Sequence, residues 1–275
     1  MLDLASRRKI VEDVISQSAA IASSTPGGSL ESYFVSLSAG DLPPLYPERR
    51  PIIHKPLPPR VVDADTLSAM RSLLTSIPYL RGQVAVLNLA NDQEPGGGWR
   101  YTLSTTQEEA LCYSSTLYAT LKPEFYPWPN MGPGSAAGIY SPCVVVFRDT
   151  LDNDLALLPE RDRFVVTVLT AAAPCRPKLT EDGLSFANQS DLDDLGDKIL
   201  WVLRCAAWNG KKGIVLGAWG CGAFGCPPRL VAREMRRALE DEEFKGWFEA
   251  VVFAVHGGSV MGRENLMAFR EEFAG

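Results

Sequence analysis

The chain has 275 residues, 46% of them apolar and 22% charged, ordinary values for a globular protein long enough to bury a core without disulfides or metals. Lys and Arg number 27 against 33 Asp and Glu, a net charge of −6, which excludes a general electrostatic attraction to nucleic acid or an anionic membrane. Two histidines, His54 and His256, are too few for a multi-histidine metal cage, and a Ser-His or Cys-His mechanism would have to use one of them.

In chain order, Arg7 to Ile21 predicts an amphipathic helix with Ile10, Val11, Val14 and Ile15 as its apolar stripe. A loop with Gly27 and Gly28 follows. The stretch Leu42 to Arg60 holds seven prolines, too many for a helix or central strand. Its apolar Leu45, Tyr46, Ile52 and Ile53 mark it as an extended connector wrapping the domain. Thereafter short apolar strands alternate with helices. Strands are predicted at Val61–Val62, Val84–Leu89, Cys143–Phe147, Phe164–Leu169, Gly213–Leu216 and Ala250–Val255. Helices are predicted at Asp65–Leu74, Thr106–Leu121, Leu192–Trp208, Pro228–Glu240 and Arg263–Phe273. This alternation implies an α/β domain over residues 61–275, its largely parallel sheet covered on both faces, with residues 1–60 packed on it as a helical extension and connector. Ligands of such sheets bind at the carboxyl ends of strands.

The six cysteines are scattered without a C-x-x-C pair and read as reduced thiols. No apolar run is long enough to span a membrane and no signal-peptide pattern opens the chain, so a cytoplasmic or nuclear protein is expected.

Two glycine loops carry the chemistry. The first, Asn88-Leu89-Ala90-Asn91-Asp92-Gln93-Glu94-Pro95-Gly96-Gly97-Gly98, leaves the carboxyl end of a buried strand. Its three glycines let a ligand approach bare backbone, and their N–H groups can converge on phosphate oxygens. Eight residues on stands Gln107-Glu108-Glu109. Thr105 and Thr106 each fit a T-x-x-E capping box with these carboxylates, the ordinary reason for acids in a first helical turn. The short tether to the glycines holds the same carboxylates near whatever that loop binds. Adjacent helical positions differ by about 100°, so the two Glu cannot be equivalent. The second loop, Gly217-Ala218-Trp219-Gly220-Cys221-Gly222-Ala223-Phe224-Gly225, lies between a strand and the helix opened by Pro227-Pro228, an anion-binding arrangement. Its G-x-G-x-x-G match is a weak dinucleotide signal. The next strand ends in His256-Gly257-Gly258 rather than an acidic residue, and no second half-sheet follows. Two phosphate loops beside a Glu pair suggest a diphosphate flanked by sugars, and glycosidic-bond chemistry.

Gly96-Gly97-Gly98, eight residues, then Gln107-Glu108-Glu109 resembles the GGG-x(6–8)-QEE signature of poly(ADP-ribose) glycohydrolases of the microbial type. Leu87-Asn88-Leu89-Ala90, Tyr140-Ser141-Pro142, Thr170-Ala171-Ala172-Ala173-Pro174 and the second glycine loop extend the likeness over most of the chain. The resemblance implies a three-layer α/β/α macrodomain with a mixed, largely parallel sheet. It implies hydrolysis of ribose–ribose O-glycosidic bonds of poly(ADP-ribose), on ADP-ribosylated proteins, in the reversal of ADP-ribosylation during a DNA damage response. It implies neither cofactor nor metal. Glu109 would be the catalytic acid and base, and Glu108 would hold the distal ribose hydroxyls. Gly96, Gly97 and Gly98 would contact the diphosphate and distal ribose. Gly220, Gly222, Ala223 and Gly225 would cradle the other side, with Phe224 packing on that ribose. Gln107 would belong to the binding set, Asn88 or Asn91 would contact ribose, and Asp65 would serve the adenine end. A monomer is expected. The residues between the glycines and Gln107 (Trp99-Arg100-Tyr101-Thr102-Leu103-Ser104-Thr105-Thr106) are bulkier than is usual there and would narrow the exit path, which bears on endo- against exo-cleavage. The alternatives are an ADP-ribose-binding reader without catalysis and a mono-ADP-ribosyl hydrolase.

Overall fold

The computed structural model describes residues 2–51, 53 and 56–274; His54 and Ile52 lie outside them. Seven strands form one sheet: β1 (Tyr33–Ser36), β2 (Arg60–Val62), β3 (Val84–Leu89), β4 (Ala137–Val146), β5 (Phe164–Ala171), β6 (Gly213–Leu216) and β7 (Ala250–Ala254). Their order is β1-β4-β5-β3-β6-β7-β2. The β3–β5, β3–β6, β6–β7 and β7–β2 pairs are parallel, whereas β4 runs antiparallel to both β1 and β5. The helices are α1 (Leu4–Ser24), α2 (Thr66–Ser76), α3 (Gln107–Ser114), α4 (Leu117–Thr120), α5 (Gln189–Trp208), α6 (Pro228–Glu240) and α7 (Val260–Glu272).

The period-2 direction of strand side chains sets the layers. On β3, Ala85 and Leu87 enter a core with α5, α6 and α7, while Val84 and Val86 enter a second core with α1 to α4. The result is a three-layer α/β/α sandwich with a mixed, largely parallel sheet, and β3 at its centre is buried on both faces.

Three departures from the sequence reading have local causes. The first is β1, for which no strand is predicted; it is a four-residue edge strand whose Tyr33 and Phe34 are both exposed, so it shows no buried–exposed alternation. The second is β4, which begins at Ala137 rather than Cys143. Gly138 and Pro142 disguise its first half: a Cβ on Gly138 would lie 2.3 Å from the Thr170 carbonyl oxygen, and a register shift between Ser141 and Val144 carries the proline. The third is the single helix predicted over Thr106–Leu121, which breaks at Ser115, where the backbone bridges to Val146 and the Ser115 hydroxyl accepts from the Leu117 amide. In α1 the inner face runs Val11, Val14, Ser18 and Ile21, leaving Ile15 of the predicted stripe 45% exposed.

The described residues among the first 60 pack on the sandwich. Besides β1, the proline stretch is held at several points: Arg204 donates to the Leu42 carbonyl, Trp208 to Pro43, Arg50 to Glu242, and the Leu57 amide to Glu249. The Arg7 guanidinium on α1 donates to the carbonyl of Leu103, in the segment that leads into α3.

Candidate active site

The centre of the site is the exit of β3. Strand β6 pairs only with Val84–Val86 of β3, so the Leu87 carbonyl and Leu89 amide lie past the end of that pairing. Gln107 takes both: its Oε1 accepts from Leu89 N at 2.8 Å and its Nε2 donates to Leu87 O at 2.8 Å, and also to Thr66 Oγ1 at 2.9 Å. The expected binding residue is therefore the brace that fixes the N-terminus of α3 against β3 and α2.

With α3 fixed, the two acids fold back under the glycine loop. Glu108 Oε2 accepts from the Asn91 amide at 2.8 Å and Oε1 from Asn88 Nδ2 at 3.2 Å. Glu109 Oε1 accepts from the Gly98 amide at 3.0 Å, and Oε2 from the Thr106 hydroxyl. The capping box is thus inverted: Thr106 donates its hydroxyl to Glu109 rather than accepting from a helix amide. Although the side chains leave the helix about 100° apart, both carboxylates converge on Gly97. A Cβ there would lie 3.2 Å from Glu108 Oε2 and 3.2 Å from Glu109 Oε1, and φ is +52°. The Gly98 amide donates to Glu109 and so positions that acid, while the Gly97 amide donates to the Glu94 carbonyl within the loop.

Both acids are almost fully buried. Burial pushes Glu108 up to about 8, against the opposing pull of the Asn91 amide and the Asn88 side chain, and the neighbouring Glu109 raises it further. At neutral pH Glu108 therefore favours its protonated form.

Asn88 is fully buried; its Nδ2 also donates to Thr170 Oγ1 at 3.3 Å, and its Oδ1 has no partner among the described residues. Asn91 spends its side-chain oxygen on the Gln93 amide at 2.6 Å, so of the two asparagines only Asn88 keeps a buried acceptor open.

The second loop has a different character. The amides of Gly220, Gly222, Ala223 and Phe224 have no acceptor among the described residues. The Gly225 amide closes a turn on the Gly222 carbonyl and the Cys226 amide returns to Gly220. Gly220 (φ +74°) is demanded by packing, since a Cβ would lie 2.7 Å from both Ala173 Cβ and Cys226 Sγ. Among the described residues, chain neighbours aside, nothing lies within 4 Å of a Cβ on Gly222. Phe224 is half-buried, and its carbonyl accepts from the Arg176 amide at 2.7 Å.

A cavity of about 580 Å³, within the range of small-molecule sites, runs from this centre toward β7 and α7. Asp65, Gln107, Thr106, Ala218, Val255 and His256 are among its lining residues. Asp65 caps α2, its Oδ1 accepting from the Leu67 and Ser68 amides. His256 is exposed there, its Nδ1 3.9 Å from Asp63.

One residue had no signal in the sequence. Asn130, in a Pro-rich loop, donates from Nδ2 to Asp92 Oδ1 at 2.9 Å and to the Ala173 carbonyl at 3.0 Å, and its Oδ1 accepts from the Cys175 amide at 2.6 Å. It ties the loop that holds Glu108 to the segment whose Arg176 amide supports Phe224. Only tertiary contacts create this role.

Residues 15–149 match the family model described as microbial-type PARG, catalytic domain. No curated protein matches the chain. Among solved structures, poly(ADP-ribose) glycohydrolase (PARG) from Thermomonospora curvata is 30% identical, with a TM-score of 0.79 over 98% of this chain and 99% of that one. The same organism's enzyme bound to the inhibitor ADP-HPD is 30% identical, with a TM-score of 0.76 over 97% and 99%. PARG from Deinococcus radiodurans in complex with ADP-ribose is 31% identical, with a TM-score of 0.71 over 93% and 96%. Likeness along nearly the whole of each chain, at this identity, places the protein in the microbial-type poly(ADP-ribose) glycohydrolase family.

Proposed function

We propose that the protein hydrolyses ribose–ribose O-glycosidic bonds of poly(ADP-ribose) and releases ADP-ribose. The observation that carries this reading is the pair of buried acids at the exit of β3, each held by an amide of the glycine loop. A proton kept on such a pair can be delivered to a leaving oxygen, and the resulting carboxylate can take one from water.

Glu109 protonates the 2′-oxygen of the leaving adenosine as the bond to C1″ breaks through an oxocarbenium-like transition state, then draws a proton from the attacking water. Glu108 holds the distal ribose hydroxyls, and Asn88 Oδ1 accepts from one of them, which satisfies its unpartnered oxygen. The open amides of Gly220, Gly222, Ala223 and Phe224 bind the diphosphate, with the Phe224 ring against the ribose. The cavity takes the adenosine, with the remaining oxygen of Asp65 at its adenine end. The substrates in this reading are ADP-ribosylated proteins, and the protein acts as an intracellular monomer that reverses ADP-ribosylation, including after DNA damage.

The test is release of ADP-ribose from an automodified polymerase. Wild-type protein should release it and Glu109→Ala should not. Binding of ADP-ribose by wild type without release would leave a reader rather than a hydrolase.

A further inference from the structure

The bulky segment between the triple glycine and Gln107 divides into two kinds of residue. Trp99 and Leu103 are buried, Trp99 packing its ring on Tyr113 and Tyr118. The bulk expected in the exit path is thus partly core. Between these two anchors Arg100, Tyr101 and Thr102 face outward, and Tyr101 is 65% exposed. The arm is not a loose tip. The Thr102 and Leu103 amides both return to the Gly98 carbonyl, at 3.0 and 2.9 Å, and Arg7 holds the Leu103 carbonyl. Arg100 stacks its guanidinium over the Tyr101 ring at 5.9 Å.

The arm stands beside the acid. A Cβ on Gly98 would lie 2.4 Å from Thr102 Oγ1 and 3.4 Å from Glu109 Oε1, so the residue next to Tyr101 and the catalytic carboxylate share one small neighbour. The other exposed aromatics, Tyr33, Phe34, Tyr46 and Tyr79, lie on segments that hold neither acid. An exposed aromatic ring on a segment whose backbone is tied to Gly98, the residue whose amide holds Glu109, offers a flat surface to a leaving group. Poly(ADP-ribose) supplies one. The bond that breaks is C1″–O2′; the proton goes to O2′, the water oxygen goes to C1″, and what departs is an adenosine whose base is close to that oxygen.

We infer that Tyr101, stacked on Arg100, is the leaving-group subsite: it stacks the adenine of the adenosine released at O2′ and so selects polymer over other ADP-ribosyl conjugates. The inference rests on the glycohydrolase reading above. Base–aromatic stacking of this kind is worth about a tenfold effect or more on recognition.

The experiment compares two substrates on wild type, Tyr101→Ala, Tyr101→Phe and Tyr101→Trp. One is a defined oligomer of ADP-ribose; the other is the 1″-O-trifluoroethyl glycoside of ADP-ribose, whose leaving alcohol carries no ring. Tyr101→Ala should lower the oligomer-to-glycoside ratio of kcat/KM about tenfold, and Phe or Trp should restore it. An equal loss on both substrates, or no loss on either, would overturn the subsite. Wild-type protein that turns over the glycoside but not the oligomer would overturn it as well. Failure of wild type on both substrates would overturn the glycohydrolase reading, and the subsite with it.

Discussion

Glu108 and Glu109 are adjacent in sequence and opposite in setting. Glu109 meets an amide and a hydroxyl; Glu108 meets an amide and a buried carboxamide, and burial raises it to about 8. Under the proposed function, Glu109→Gln removes the carboxyl group that gives and takes the proton but keeps the shape, so ADP-ribose release should fall about 10²- to 10⁴-fold with ADP-ribose binding retained by calorimetry. Glu108 also makes stability depend on pH. Its folded value lies above its ordinary one of 4.5, so folding favours the protonated form. That contribution is complete below about pH 4.5 and is lost as pH rises through about 8. Glu108→Gln should therefore gain on wild type in denaturant melts as pH rises across this window, by on the order of a few kcal/mol; a difference independent of pH would contradict the burial argument. Gly97→Ala adds a methyl 3.2 Å from each acid at φ +52° and should cost more than about tenfold in kcat by separating the carboxylates, with a stability loss of about 1 kcal/mol, read from steady-state kinetics and thermal melts.

At the level of elements, strands whose burial matches their composition were readable in the sequence. β3 and β6 begin and end where their apolar runs do, and α6 starts at Pro228, where the missing N–H costs nothing. What the sequence hid was set by neighbours. β1 is recognised only once β4 lies beside it, and the break at Ser115 exists because Val146 offers a bridge. The same distinction runs through the site. Glu108, Glu109 and the second glycine loop stand in contiguous motifs, whereas Asn130 acquires its role from three contacts remote in sequence. The motif marks Gln107, but its bonds to the strand groups that β6 leaves open are set by the fold. Asn130→Ala should destabilise the fold by about 1–3 kcal/mol and lower kcat more than it raises KM for ADP-ribose polymer, since what is lost is the position of the loop behind Glu108. Asn130→Asp, which cannot donate, should restore little.

Over the whole molecule, a surface of net charge −6 faces a polyanionic substrate. The conflict disappears if phosphate is met by the backbone amides of Gly220, Gly222, Ala223 and Phe224 rather than by a field of Lys and Arg. Affinity for ADP-ribose should then change by less than about threefold between roughly 50 and 200 mM salt, against about 10³- to 10⁵-fold for a protein making six to ten phosphate contacts with cationic side chains. Titration calorimetry at two ionic strengths measures this directly. β3, against which Gln107 braces the helix that carries both acids, lies between β5 and β6, and the second glycine loop follows β6. During synthesis the acids therefore leave the ribosome some hundred residues ahead of the loop that must face them, and β3 waits for partners on both sides. A nascent or prematurely ended chain that stops before β6 lacks both the partner of Val84–Val86 and the second glycine loop, so under the proposed function polymer cleavage should begin only after residues beyond Phe224 have been made.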